Sequence, residues 1–226
     1  MLLLVVAYNN VCNRWPPFNG PLYVPINVLA TGVLTLIALG ALELSPDELG
    51  LSGSSPRGLG AGVVIGIVAS APLFLFLGHP RGARLLADRR VEGLSGRALA
   101  FQILVRVPLG TVMLEEVAFR GVILALLGGS DRPVAIAVSS VAFGFWHVAP
   151  TINLVAANRP HASNADKRRA VAGAVAFTAL AGIALAGLRF ASGGLAGPIG
   201  VHATVNGLGT LAAVAAHRKS ASARVR

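Results

Sequence analysis

The sequence predicts an all-α polytopic membrane protein, about six transmembrane helices in one bundle with both termini cytoplasmic. Three observations predict it: the composition, six long apolar runs, and a one-sided distribution of basic residues between those runs. The 226-residue chain is 54% hydrophobic and 12% charged, with a mean hydropathy of +0.71. Soluble domains carry about 25% charged residues, so this chain holds about half the usual share. The net charge of +10 raises nucleic acid as a partner, but no soluble basic module remains once the apolar runs are set aside. The expected surround is the lipid bilayer, with no nucleic acid. The single cysteine, Cys12, leaves no intramolecular disulfide and no cysteine-based zinc site.

Each element follows from the same rule, that a span needs ~20 apolar residues at ~1.5 Å rise each. The apolar start "MLLLVVAY" is too short to span and lacks the basic region and cleavage site of a signal peptide. It is expected at the interface or packed on the bundle. The first span runs from about Leu22 to Leu42 and the second from about Leu59 to Leu77. Gly62 and Gly66 give the second span GxxxG spacing, which suits close helix packing. The third, about Ala98 to Leu127, contains Pro108, where a kink is expected. The fourth runs from Pro133 to Ala149, the fifth from Ala170 to Phe190 and the sixth from Leu195 to Ala216. Pro133 opens the fourth in a position proline tolerates.

Loop charge orients the bundle. Arg81, Arg84, Arg89, Arg90 and Arg97 follow span two; Arg159, Lys167, Arg168 and Arg169 follow span four. Arg218, Lys219, Arg224 and Arg226 form the tail, and Arg14 precedes span one. Six crossings put these fourteen on one side and leave Arg57, Arg132 and Arg189 on the other. That asymmetry predicts cytoplasmic termini by the positive-inside rule. The two remaining basic residues, Arg106 and Arg120, fall inside the third span.

The third span carries "LEEVAFRG", Leu114 to Gly121. A charge at the bilayer centre costs about 2.5–3.5 kcal/mol on insertion scales, so these groups need a reason. Glu116 and Arg120 are four apart and share a face, where they can pair. Glu115 is rotated ~100° from Glu116 and is left without the arginine. A structural clamp between helices explains Glu116 and Arg120 but not Glu115. In the fourth span Phe143 and His147 share a face, and in the sixth His202 and Asn206 do. Taken alone, the first histidine reads as interfacial or hydrogen-bonded, and the second pair divides evenly between an interhelical hydrogen bond and a functional site. Depth joins them: counted at ~1.5 Å per residue from the outer ends, Glu115 lies ~18 Å deep, His147 ~21 Å, His202 ~11 Å and Asn206 ~17 Å. Four polar side chains from three helices in one slab describe a polar cavity, and intramembrane ionisable groups are functional candidates. An apolar surround makes a carboxylate a better general base. A histidine beside it can hold the same water, and a second histidine with an amide can supply donors to a developing oxyanion.

Glu115-Glu116-x-x-x-Arg120, Phe143-x-x-x-His147 and His202-x-x-x-Asn206 resemble, in order, the three motifs of the CPBP family. These are the CAAX-protease and bacteriocin-processing membrane endopeptidases, also called the Abi family, which include the eukaryotic Ras-converting CAAX endoprotease. The resemblance covers roughly Gly110 to Ala216. It divides the single membrane domain, 1–226, into 1–109 without motif, a core over 110–216 and a basic tail over 217–226. What it implies is an intramembrane endopeptidase acting on a membrane-associated or lipid-modified protein or peptide, by CAAX-type or leader-peptide processing. Glu115 would be the general base and His147 its partner in activating water. His202 and Asn206 would form the oxyanion site, with Glu116, Arg120 and Phe143 in support. The family has carried both a glutamate-protease and a metalloprotease label. No cofactor is expected; the alternative is Zn2+ on Glu115, His147 and His202, set against the absence of HExxH and the nearby Arg120.

The other histidines, His79, His161 and His217, read as interfacial, and Arg106 as snorkelling or lining a way in for an anionic C-terminus. Two other functions are weighed against proteolysis. One is a non-catalytic immunity or scaffold protein of the same family. The other is a transporter, disfavoured because no inverted repeat is visible. The Ala/Gly/Val/Arg-rich composition suggests a bacterial plasma membrane.

Overall fold

The computed structural model describes residues 2–15, 18, 20–128 and 131–222. Met1, Arg224 and Arg226 lie outside the described residues. Among the described residues all regular structure is helical. Helix α1 is Leu2–Cys12, α2 Tyr23–Gly40, α3 Pro56–Gly78 and α4 the short Pro80–Leu86. Helix α5 is a continuous run over 96–127, α6 is Arg132–Asn158, α7 Asn164–Ala191 and α8 Ala196–Ser222. Helices α2, α3, α6, α7 and α8 are each long and apolar enough to cross a membrane. Helix α5 adds a sixth run of membrane length, so the protein is an all-α membrane bundle of about six spans. Exposed Leu36, Val68, Leu75, Leu104 and Phe177 are the lipid-facing surface that such a bundle needs.

The helix starts are locally encoded. Ser55, His79, Ser95, Asp131 and Ser163 each accept a backbone N–H from the first turn they precede, meeting donors that a helix start leaves free. Pro56, Pro80 and Pro133 occupy first-turn positions where no N–H is needed.

The loops fall at two ends. At one end Arg189 donates to the carbonyls of Asp47 and Glu48, Leu195 N–H donates to Gly50 O, and Arg132 lies over the Phe190 ring. At the other, Arg89 N–H donates to Asn158 Oδ1, Lys219 Nζ donates to the carbonyls of Leu77 and Gly78, and His217 faces Glu92 at 3.6 Å. Asp88 belongs to this second end. Burial pushes its carboxyl up, but hydrogen bonds from Arg90 and Asn158 outweigh that and hold it below the usual range.

At Pro108, where a kink is expected, α5 continues as helix. Around it the turns widen, so that Met113 N–H reaches back five residues to Pro108 O. Pro108 has no N–H to donate, and the wider turn re-registers the ladder without a break. The widened stretch is braced by α2: Asn27 Nδ2 donates to Gly110 O at 2.7 Å, and Tyr23 Oη lies 2.8 Å from Thr111 Oγ1. The fourth span, expected to end at Ala149, instead breaks at His147 and resumes as Val148–Asn158.

Among the described helices α3 and α8 share the most extensive contact, in which the GxxxG glycines lie. A Cβ on Gly62 would overlap the Gly197 carbonyl, and one on Gly66 would lie 2.7 Å from Thr204 Cβ. Gly62→Val is therefore expected to separate α3 from α8 and destabilise the protein by about 1–3 kcal/mol. Thermal unfolding in detergent should show a lowered midpoint, whereas Gly60→Val, which meets nothing within 4 Å, should leave it unchanged.

Candidate active site

The polar residues of α5 enter the bundle core because their faces are covered by α2, α6 and α8. Glu115 is 5% exposed, Glu116 0%, Arg120 1% and His202 9%. The clamp expected from helical phase is present: Arg120 Nη1 donates to Glu116 Oε1 at 3.2 Å. The guanidinium also lies 4.0 Å from the centre of the Phe143 ring, a cation–π contact. Phe143 is the hub of the second motif. Its ring is edge-on to His147 at 4.7 Å and to His202 at 6.0 Å, and it packs on Phe119 at 5.1 Å.

His202 joins the two glutamates. Its Nδ1 lies 2.7 Å from Glu116 Oε1, and its Nε2 faces Glu115 Oε2 at 3.6 Å. A carboxylate already paired with arginine accepts, so Nδ1–H donates to Glu116. The Nε2 distance is too long for a hydrogen bond. The imidazole thus spans the ~100° that separates adjacent helical side chains, one nitrogen toward each carboxyl group.

Glu115 has a partner that the sequence reading missed. Trp146 Nε1 donates to Glu115 Oε1 at 2.9 Å, from an indole only 3% exposed. A buried indole N–H usually finds an acceptor, and Trp146 directly precedes the motif histidine. That adjacency was the available signal. The second oxygen, Glu115 Oε2, is buried and accepts no hydrogen bond among the described residues.

His147 sits at the break of α6, half-buried, with Nδ1 2.8 Å from the Phe143 carbonyl. A carbonyl only accepts, so Nδ1 carries the proton and Nε2 of the neutral ring is an acceptor. Asn206 lies one turn beyond His202 on α8. Its backbone carbonyl accepts from Thr210 at 2.9 Å. The structure therefore brings Glu115, Glu116, Arg120, Phe143 and His202 into one contact network with Trp146. His147 joins it through Phe143, and Asn206 stands along the same helix as His202. No three His, Cys, Asp or Glu side chains among the described residues converge as a metal site. His202 Nδ1, Glu115 Oε1 and His147 Nδ1 are engaged in hydrogen bonds, which leaves the other nitrogen of each ring and Glu115 Oε2 open.

The remaining histidines have local roles. His79 Nδ1 accepts the Arg81 N–H to start α4, His217 faces Glu92 and His161 is exposed. Arg106 lies over the Tyr23 ring at 4.0 Å.

A family model described as "Type II CAAX prenyl endopeptidase Rce1-like" matches residues 97–208, which contain all three motifs. No curated protein and no solved structure matches the chain.

The buried clamp makes a prediction that needs no substrate. Arg120→Leu leaves Glu116 as an uncompensated buried charge and is expected to cost about 3–5 kcal/mol. The double variant Glu116→Gln/Arg120→Leu should recover part of that loss. Chemical denaturation in micelles would compare the two; equal losses would show that charge pairing is not the cause.

Proposed function

We propose that this chain, which belongs to the Rce1-like family of type II CAAX prenyl endopeptidases, cleaves its substrate with water activated by Glu115. Membership makes it an integral-membrane protease of the CAAX type whose substrates are membrane-associated peptides or proteins. The observation that carries the mechanism is the environment of Glu115. One of its oxygens is held by Trp146 and the other is buried and unpartnered, beside a histidine fixed by Glu116.

Those positions support the following steps. A water on Glu115 Oε2 would lose a proton to the carboxylate as its oxygen bonds to the scissile carbonyl carbon. His147 Nε2, an acceptor because Nδ1 is tied to Phe143 O, would hold the same water's second hydrogen. The carbonyl oxygen becomes an oxyanion, for which the Asn206 amide and the His202 ring would be the donors. The tetrahedral carbon then expels the amine, which takes the proton back from Glu115 as the C–N bond breaks. Glu116 and Arg120 take no part in bond making. They fix the His202 ring, as the third member of a triad fixes its base.

The mechanism is proposed as metal-free, with the absence of HExxH and the positive charge of Arg120 beside the site set against Zn2+ on Glu115, His147 and His202. The proposed substrate is lipid-modified or leader-bearing; the termini are proposed as cytoplasmic, which the loop arginines support, and the membrane as a bacterial plasma membrane.

Glu115→Ala should abolish processing without lowering protein abundance. Comparing peptide termini in membranes from wild-type and Glu115→Ala cells should reveal a terminus present only with the wild type, which also points to the substrate. Identical sets at equal abundance would overturn the proposal. Appearance of that terminus in isolated membranes should withstand prolonged chelation. Loss on chelation and recovery with Zn2+ would replace the metal-free mechanism.

A further inference from the structure

The N-terminal helix α1 has no part in the mechanism above, yet its polar side chains are aimed at the segment that carries Trp146 and His147. Helix α6 breaks there, with His147 at φ −88° and ψ 4°. A break in a membrane-length helix frees backbone donors and acceptors, and lipid offers them no partner. Two adjacent asparagines of α1 meet them. Asn9 Nδ2 donates to Trp146 O at 2.8 Å. Asn10 Nδ2 donates to Phe145 O at 3.2 Å, and its Oδ1 accepts the Ala149 N–H at 2.8 Å. One amide side chain thus bridges both halves of the broken helix.

The asparagines are themselves held. Asn13 Nδ2 donates to Asn9 Oδ1 at 2.7 Å, which turns the Asn9 nitrogen toward Trp146. Asn153 Nδ2 donates to Asn13 O at 3.2 Å, tying the end of α1 to the second half of α6. Tyr8, preceding Asn9, stacks on the Trp146 indole with centroids 6.3 Å apart and planes at 23°. Its hydroxyl donates to Asn27 Oδ1 at 2.8 Å, and Asn27 in turn donates to Gly110 O, five residues before Glu115. The indole on which Tyr8 stacks donates to Glu115.

We propose that Asn9 and Asn10 are positioning residues of the active site. They hold the α6 break in the arrangement that aims Trp146 Nε1 at Glu115 and presents His147. The inference rests on the protease reading for its consequence in catalysis, but not for its geometry. A helix that only added buried area would not need two consecutive amides on three backbone groups around the motif histidine.

The test uses the full chain in a Trp15→Phe background. The sequence has two tryptophans, so Trp146 becomes the only tryptophan, and excitation at the red edge selects it over the tyrosines. In that background Glu115→Ala should change the Trp146 emission, because it removes the acceptor. With Asn9→Ala or Asn10→Ala already present, the same Glu115 change should have little further effect. At equal amounts of folded protein, each asparagine variant should slow appearance of the Glu115-dependent peptide terminus about 10–100-fold. Asn10→Gln, which keeps the amide, should recover part of that loss. Emission that remains equally sensitive to Glu115 in the alanine variants would overturn the proposal. So would a lowered melting midpoint with an unchanged rate per folded molecule, or Asn10→Gln no better than Asn10→Ala. If no Glu115-dependent terminus exists, the protease reading fails, and the emission comparison still decides whether α1 positions Trp146.

Discussion

Everything at the centre of this bundle depends on the buried contact between Arg120 and Glu116. A carboxylate and a guanidinium in a membrane interior are each unfavourable alone and tolerable together. Once paired, Glu116 has its charge answered and still offers its bonded oxygen to His202. The pair therefore does more than excuse two charges. It fixes the orientation of an imidazole on another helix, and through that ring it sets what stands opposite Glu115. Phe143 closes the arrangement by lying under the guanidinium and against both histidines, so the three motifs share one aromatic ring.

The second constraint is backbone irregularity in two of the helices that carry the chemistry, α5 and α6. Helix α5 has widened turns leading into and following the two glutamates, and α6 is broken at the motif histidine. In lipid, irregular backbone persists only where other groups satisfy it. Here the satisfying groups are amides from the first part of the chain: Asn27 on the Gly110 carbonyl, and Asn9 and Asn10 around the α6 break. The motif-free region over 1–109 is thus tied into the site. It also supplies Gly62 and Gly66, against which α8 packs with its motif histidine turned the other way, toward α5.

Much of this was legible in the sequence, for identifiable reasons. Apolar length locates spans because bilayer thickness is fixed, and capping residues such as Ser55 and Ser163 mark helix starts locally. The i, i+4 rule correctly joined Glu116 to Arg120 and set Glu115 apart from them. The histidines could be assigned to spans but not to partners. His202 was paired in sequence with Asn206, one turn away on its own helix, whereas its bonded partner is Glu116, 86 residues earlier. Trp146 escaped notice because an apolar neighbour of a motif residue looks like packing until its N–H is seen to have an acceptor.

By itself the sequence determined the class of the molecule, roughly how many spans it has and where most of them lie, and which three helices carry the motif residues. Those properties depend on local composition and on spacing along one helix, so they can be read without knowing neighbours. Only the tertiary structure decided that one imidazole bridges both glutamates, that an indole holds Glu115, and that α1 secures the break at His147. Each of those depends on how separate helices are rotated against one another and on where their backbones depart from ideal geometry. Such relations are set by packing between segments as far apart as Asn9 and Trp146, and no periodicity within either segment encodes them.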